Sequence, residues 1–160
     1  MDNKKEKALV LGATANITFA VANVLLGIKK HSPDLQADFY IFHKDITEAD
    51  QQLLNSIIPV NFIEYQFPSN NTDDLEKFAF KRYSQLAFSR YECFNMLDKY
   101  KKVLWLDVDT LIQKDISGLF DLCDNGIGLY QEASSLQECF AEPVAGYNMD
   151  AAHYNSGVIV

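Results

Sequence analysis

Residues 101–115 read KKVLWLDVDTLIQKD, an apolar run that ends in two aspartates one residue apart. Apolar side chains at consecutive positions, as in 103–106, are typical of a strand that is buried on both faces of a sheet. In an extended segment residues i and i+2 point to the same side, so we expect Asp107 and Asp109 to reach a common point with Val108 turned away. Two carboxylates so close resist joint ionisation unless a cation lies between them, and an oxygen-ligated cation such as Mg²⁺ or Mn²⁺ suits them. The stretch therefore predicts a buried strand leading to a metal site, and the alternative is a pair of solvated turn residues.

Strands and helices alternate along the chain. Apolar runs predict strands at 8–13, 37–43, 60–65, 103–106, 126–130 and 153–160. Apolar residues at helical spacing predict helices at 17–30, 47–57 and 83–100, and a short one at 115–120. Asn16 is a candidate N-cap for the first helix, and T-E-A-D at 47–50 is a capping pattern for the second.

This order of elements predicts one α/β domain over residues 1–160, with a mostly parallel sheet and helices on both of its faces. Ligands in such folds bind beyond the carboxyl ends of the strands. Residues 12–16 and 107–109 both lie at such ends, so we expect the binding site between them.

Arg90 stands out on the predicted helix 83–100. It lies within one apolar stripe, four residues from both Leu86 and Phe94. A guanidinium on a core-facing stripe needs an acidic partner or a ligand. The helix from Arg90 to its end is about 15 Å long, and the strand from Val103 to Asp107 about 13 Å. A helix that turns back into this strand would place Arg90 level with the aspartates, and the alternative is a surface arginine.

Composition narrows the class of protein. The net charge of −8 argues against a nucleic-acid partner, because such proteins carry a basic face. Cys93, Cys123 and Cys139 show no C-x-x-C spacing, which favours buried, reduced thiols. We find no signal peptide and no apolar run of membrane-spanning length, so the sequence predicts a cytoplasmic protein.

Taken together, these residues resemble the retaining glycosyltransferases of family 8, which include bacterial lipopolysaccharide galactosyl- and glucosyltransferases and glycogenin. The resemblance rests on the opening strand–helix–HSPD–strand order and on two stretches, KVLWLDVDTLIQKDISGLF at 102–120 and YNSGVIV at 154–160. It implies a GT-A fold and a nucleotide-sugar donor, UDP-glucose or UDP-galactose, bound through Mn²⁺ or Mg²⁺. The implied reaction transfers a hexose to a glycan or another hydroxyl acceptor with retention at the anomeric carbon.

The resemblance also implies roles for residues near the aspartates. Asp107 and Asp109 would ligate the metal on the diphosphate, and the segment that includes Val108 would touch the ribose. Arg90 matches an arginine of the family that contacts the donor sugar.

Further matches lie at both ends of the chain. Asn155 and Ser156 match the N-[AS]-G motif that lines the donor-sugar pocket, and Glu132 stands near the transferred sugar as the catalytic candidate. After the first strand the family usually reads A-D-D-N-Y, where an acid and an aromatic residue hold the uracil. This chain reads ATANI at 13–17, so Ala13 and Asn16 match.

In the family a histidine well downstream of N-[AS]-G completes the metal site, and a lysine there binds the diphosphate. The sequence stops before that position, and His153 does not replace the histidine. We therefore expect this chain to be the donor-binding part of a longer protein. Acceptor binding, and any peripheral membrane association, would belong to the remainder.

Three other interpretations remain open at this point. A protein that binds a sugar nucleotide or a partner without catalysis would keep the same donor motifs. A phosphatase of the haloacid-dehalogenase type uses D-x-D-x-[TV], but Leu111 occupies the last position. An NAD(P)-binding epimerase has three glycines after its first strand, and here only Gly12 is present.

Overall fold

The computed structural model describes residues 3–68 and 84–160, and within them the chain forms a six-stranded sheet in the order β3-β2-β1-β4-β6-β5. The strands are β1 (Lys5–Thr14), β2 (Asp38–Lys44), β3 (Val60–Glu64), β4 (Tyr100–Leu106), β5 (Leu129–Ser135) and β6 (Ala152–Ile159). The α-helices are α1 (Thr18–His31), α2 (Glu48–Ile57), α3 (Glu92–Met96) and α4 (Leu136–Cys139). Shorter 3-10 segments are Ala15–Ile17, Gln85–Tyr91 and Ser117–Asp121. None of the described helices is long and apolar enough to cross a membrane.

The sheet is mostly parallel, as the sequence predicts. β1 runs parallel to β2 and β4, and β2 runs parallel to β3, whereas β6 is antiparallel to both β4 and β5. Alternate side chains of β1 enter two separate cores. Leu9 and Leu11 pack with α1 and α2 on one face. Ala8 and Val10 pack on the other face with Trp105 and with side chains of the 85–96 region.

The two predicted helix starts have different outcomes. Thr47 caps α2, because its side chain accepts a hydrogen bond of 3.2 Å from the amide of Asp50. The prediction that Asn16 caps α1 is wrong. A 3-10 turn intervenes, the side chain of Asn16 instead accepts a hydrogen bond from the Thr14 hydroxyl, and α1 begins at Thr18.

The predicted helix 83–100 is shorter and more tightly wound than expected, and its first residue, Tyr83, lies outside the described residues. The 3-10 segment Gln85–Tyr91 lies in its first half, and α3 ends at Met96. Because a 3-10 helix has three residues per turn, Leu86 and Ser89 align on the buried side. Phe94, which an α-helical stripe would bury, is 44% exposed.

Of the last two predicted strands the first is displaced, whereas the one predicted at 153–160 agrees with β6 within one residue at each end. The strand predicted at 126–130 begins only at Leu129, because Gly126 adopts a positive φ of 126° that belongs to a turn. β6 lies between β4 and β5, so Ile159 is buried.

Candidate functional site

A cavity of about 680 Å³ opens beyond the carboxyl ends of β1 and β4. Its walls come from the end of β1, the first turns of α1, the 3-10 segment before α3 and the turn after β4. Gly12, Thr14, Asp107 and Asp109 all line it. The carboxyl ends of β1 and β4 therefore meet at one edge of the sheet, which follows from their parallel pairing.

The D-x-D segment has a different conformation from the one predicted. β4 ends at Leu106, and the amide of Thr110 donates to the carbonyl of Asp107 at 3.2 Å, which closes a turn. The expectation of an extended segment is thus wrong, because this hydrogen bond bends the chain directly after the strand. Asp107, Val108 and Asp109 nevertheless all border the cavity, and Val108 also packs against the core on the α1 side.

Arg90 lies level with the aspartates, as predicted. One terminal nitrogen of Arg90 is 3.2 Å from Oδ1 of Asp107, and the Arg90 side chain is 18% exposed. The other terminal nitrogen donates to the carbonyl of Ser156 at 3.1 Å and to the Ser156 hydroxyl. Nε donates to the carbonyl of Ala87 at 2.9 Å. All three guanidinium nitrogens are therefore held by protein groups, while the side chain still forms part of the cavity wall.

Trp105 is a site residue that motif reasoning missed, and its place depends on a close approach to Gly12. The indole Nε1 of Trp105 donates to Oδ1 of Asp107 at 2.7 Å, and the ring lies under the guanidinium of Arg90, 5.6 Å from its central carbon. A Cβ on Gly12 would lie 2.6 Å from the Trp105 ring, so only glycine lets the ring lie across β1. A tryptophan two residues before an aspartate was the signal in the sequence, but the contact with Gly12 depends on strand pairing.

The N-S-G motif of β6 meets the D-x-D segment directly. The amide of Asp107 donates to the carbonyl of Gly157 at 2.7 Å, and a Cβ on Gly157 would lie 3.2 Å from Oδ2 of Asp107. The Asn155 side chain accepts from the Gly157 amide at 2.7 Å and donates to Oε1 of Glu132 at 3.0 Å. Ser156 lies behind Arg90. Glu132 and Asn155 therefore form a pair next to the aspartates, and their roles toward a substrate stay predictions.

Ala13 and Asn16 do not present side chains to the cavity. Ala13 is fully buried in the core on the opposite side of β1 from Gly12 and Thr14. Asn16 is exposed and bonded to Thr14. Any contact from Ala13 to a ligand would come from its main chain.

The charges in the cavity bear on whether it suits a metal. Asp107 and Asp109 face one cation, Arg90, which leaves a net negative charge that would repel a diphosphate unless a divalent cation is present. Among the residues that the structure describes, the hydrogen bonds to the Asp107 carboxylate go to Oδ1 and leave Oδ2 for a ligand. In residues 3–68 and 84–160 no group of three or more His, Cys, Asp or Glu is arranged to hold a metal. Two carboxylates fit Mg²⁺ or Mn²⁺ when phosphate or water oxygens supply the other ligands.

Solved structures that match this fold include glycosyltransferases of the GT-A type. The galactosyltransferase LgtC, in complex with donor and acceptor sugar analogues, matches with a TM-score of 0.68 and 20% identity, over 95% of this chain and 56% of that chain. The bifunctional glycosyltransferase WbbM matches with a TM-score of 0.60 and 15% identity, over 99% and 31% of the two chains. GlyE from Streptococcus pneumoniae TIGR4 matches with a TM-score of 0.55 and 19% identity, over 98% and 34%. The present chain thus spans little more than half the length of LgtC.

The model for glycosyl transferase family 8 matches residues 8–160, and the chain belongs to this family. No curated protein sequence matches it. Membership of family 8 leaves the phosphatase and epimerase interpretations without support.

Proposed function

We propose that residues 1–160 form a single donor-binding domain of a retaining hexosyltransferase. The donor is UDP-glucose or UDP-galactose, and the acceptor is a hydroxyl of a glycan or a similar molecule. The observation that carries this proposal is the meeting of Asp107, Asp109 and Arg90 around one cavity, at the carboxyl ends of β1 and β4, in a family 8 chain.

Asp107 and Asp109 are the proposed ligands of Mn²⁺ or Mg²⁺. Such a cation supplies positive charge to the diphosphate leaving group. Asp107 suits this task because Arg90, Trp105 and the main chain of Gly157 hold it in place. Asp109 lies in the turn and is exposed to the cavity.

The two walls of the cavity suit the two ends of a nucleotide sugar. The wall formed by Ile17, Phe19 and Asn23 is uncharged, and the Phe19 side chain is 74% exposed, so it offers an apolar surface to a nucleoside. The main chain at Ala13 would contact the nucleoside at the rim, and Asn16 would hold Thr14, which lines the cavity.

The opposite side of the site carries the polar residues that suit the sugar. Arg90 lines the cavity there, and Ser156, Asn155 and Glu132 follow behind it. In the proposed enzyme Arg90 contacts the hexose, and Glu132 is the candidate catalytic residue.

Titration calorimetry tests the proposal. UDP and UDP-hexoses should bind more tightly with Mn²⁺ than with EDTA, and Asp107→Asn and Asp109→Asn should each remove this metal dependence. Asp121→Asn is the matched control, because Asp121 is a surface carboxylate, 67% exposed, whose partner is Lys102. Equal binding with and without metal in the wild type would contradict the proposal.

A differential measurement tests the role of Arg90. Arg90→Ala should weaken UDP-hexose binding more than UDP binding, since only the former has a sugar to contact. A charge-assisted hydrogen bond contributes about 1.5–3 kcal/mol, which sets the size of the difference. An equal loss for both ligands would place Arg90 on the diphosphate or in the scaffold.

A protein that only binds the donor is separated from an enzyme by a transfer assay. Radiolabelled UDP-hexoses and a mixed pool of glycan acceptors would show product with a transferase. Metal-dependent binding without product, in the longest form of the protein that can be made, would favour the non-catalytic interpretation.

A further inference from the structure

We propose that Trp105 is a positioning residue, whose indole N–H fixes the carboxylate of Asp107 so that Oδ2 is presented to the divalent cation. This inference rests on the proposed role of Asp107 as a metal ligand. It assigns to Trp105, a buried residue of the apolar strand β4, a function beyond packing.

The first step is the hydrogen bond itself. Trp105 is 2% exposed, and a buried N–H that lacks a hydrogen-bond partner costs free energy. The partner of this N–H is Oδ1 of Asp107 at 2.7 Å. Arg90 reaches the same oxygen at 3.2 Å. Two donors on one oxygen fix the rotation of the carboxylate and leave Oδ2 without a donor among the described residues.

The second step is the rigidity of the indole. The Trp105 ring is confined on one side by Gly12, where any Cβ would lie 2.6 Å from the ring and 2.9 Å from the Ser89 hydroxyl. The guanidinium of Arg90 covers another side, 5.6 Å from the ring centre. Contacts from β1 and from the 3-10 segment therefore confine the ring and fix where the N–H points. A donor with so little freedom can orient the group it binds.

The third step is the consequence for metal binding. Groups that hydrogen-bond to a metal ligand orient it, and their loss typically lowers metal affinity by about 10–100-fold. Trp105→Phe keeps an aromatic ring in the core and removes the N–H, so Asp107 would be held by Arg90 alone on that oxygen. Because Arg90 remains, we expect the lower end of this range, about 10-fold.

Tyr100→Phe is a matched control on the same strand. Tyr100 is also buried, belongs to the same core as Trp105, and donates to a carboxylate, Oδ2 of Asp38, at 2.5 Å. This contact lies at the opposite end of β4 from Asp107. The control therefore removes an equivalent donor and loosens the same strand without touching the aspartates.

The experiment measures Mn²⁺ binding directly, by the electron paramagnetic resonance signal of free Mn²⁺ during titration in the presence of UDP. We expect Trp105→Phe to raise the Kd for Mn²⁺ about 10-fold, Tyr100→Phe to leave it unchanged, and Asp107→Asn to abolish binding. The chain has one tryptophan, so its replacement by the analogue with sulfur in place of the indole N–H removes the donor at nearly constant shape. This substituted protein should match Trp105→Phe, and it carries the test if the phenylalanine variant does not fold.

The outcomes separate the inference from the proposed function. If the proteins without the indole N–H bind Mn²⁺ as tightly as the wild type while Asp107→Asn loses binding, the positioning role is overturned. The proposed metal site then still stands. An equal loss in Tyr100→Phe would show that a loosened strand is the cause, and it would also overturn the inference. Unchanged affinity in Asp107→Asn would instead overturn the proposed metal site.

Discussion

Replacement of Arg90 by alanine should destabilise the whole domain as well as alter ligand binding. The guanidinium joins three segments, because it donates to Ala87 in its own 3-10 segment, to Asp107 after β4 and to Ser156 on β6. Alanine would remove one donor from each of two carbonyls and the only cation beside Asp107 among the described residues, whose carboxylate would keep the indole N–H of Trp105.

The size of the effect follows from burial. Removing one partner of a buried ion pair costs about 3–5 kcal/mol. The side chains of Arg90 and Asp107 are 18% and 32% exposed, so water reaches part of the pair and lowers that cost. We therefore expect Arg90→Ala to lower the free energy of unfolding by about 2–3 kcal/mol. Arg90→Lys keeps the charge without the planar fork and should lose about 1–2 kcal/mol.

Urea unfolding, followed by circular dichroism and by the emission of the single tryptophan, measures this difference. Lys102→Ala is the comparison. Lys102 also forms two ion pairs, with Asp121 and Asp124 at 3.2 and 3.3 Å, but those carboxylates are 67% and 83% exposed. Surface pairs contribute about 0–1 kcal/mol. If Arg90→Ala costs no more than Lys102→Ala, the view of Arg90 as a joint between three segments is refuted.

Other measurements address separate features. Burial raises the pKa of Cys93 to about 12, so a thiol reagent at pH 8 should label the exposed Cys139 in the native protein and reach Cys93 only after unfolding; early labelling of Cys93 would contradict the packing. The hydrogen bond from Lys5 lowers the pKa of Asp38 below its ordinary 3.8, so its contribution to stability is present above that pH and is lost as the pH falls through the lower value. The stability difference between wild type and Asp38→Asn in urea should therefore be constant from pH 5 to 7 and shrink near pH 3, and a constant difference throughout would refute this. Gly157→Ala would place its Cβ 3.2 Å from Oδ2 of Asp107. Calorimetry should therefore show weaker Mn²⁺–UDP binding with little loss of stability.

Much of the fold could be predicted because its signals are local. Apolar runs bounded by turn residues marked four parallel strands, and the T-E-A-D pattern marked the start of α2. The position of Arg90 level with the aspartates could also be predicted, because a charge within an apolar stripe needs an acidic partner or a ligand. The estimate of length assumed an α-helix, where the structure has a 3-10 segment and one short helix.

The remainder depends on contacts between distant parts of the chain. The turn at D-x-D follows from the end of β4, where the amide of Asp107 pairs with Gly157 on β6. The 3-10 winding that buries Ser89 follows from packing against β1, since Ser89 lies beside Gly12. The same register places Trp105 against Gly12. No local pattern encodes which glycine faces which ring, because strand register is set by the whole sheet.

The connection from Arg90 to β6 has a consequence for biosynthesis. The Arg90–Asp107 contact spans 17 residues of chain, whereas the Arg90–Ser156 contact spans 66. At about 5–20 residues per second, a ribosome takes roughly 2–10 s to make the chain between β4 and β6. During that interval β1 to β4 can pair while the outer edge of β4 has no neighbour, and an unpaired edge is a template for aggregation. The nascent chain can therefore form the Arg90–Asp107 ion pair before β6 is available to cover the edge of β4, and a chaperone that shields this edge would act in that interval.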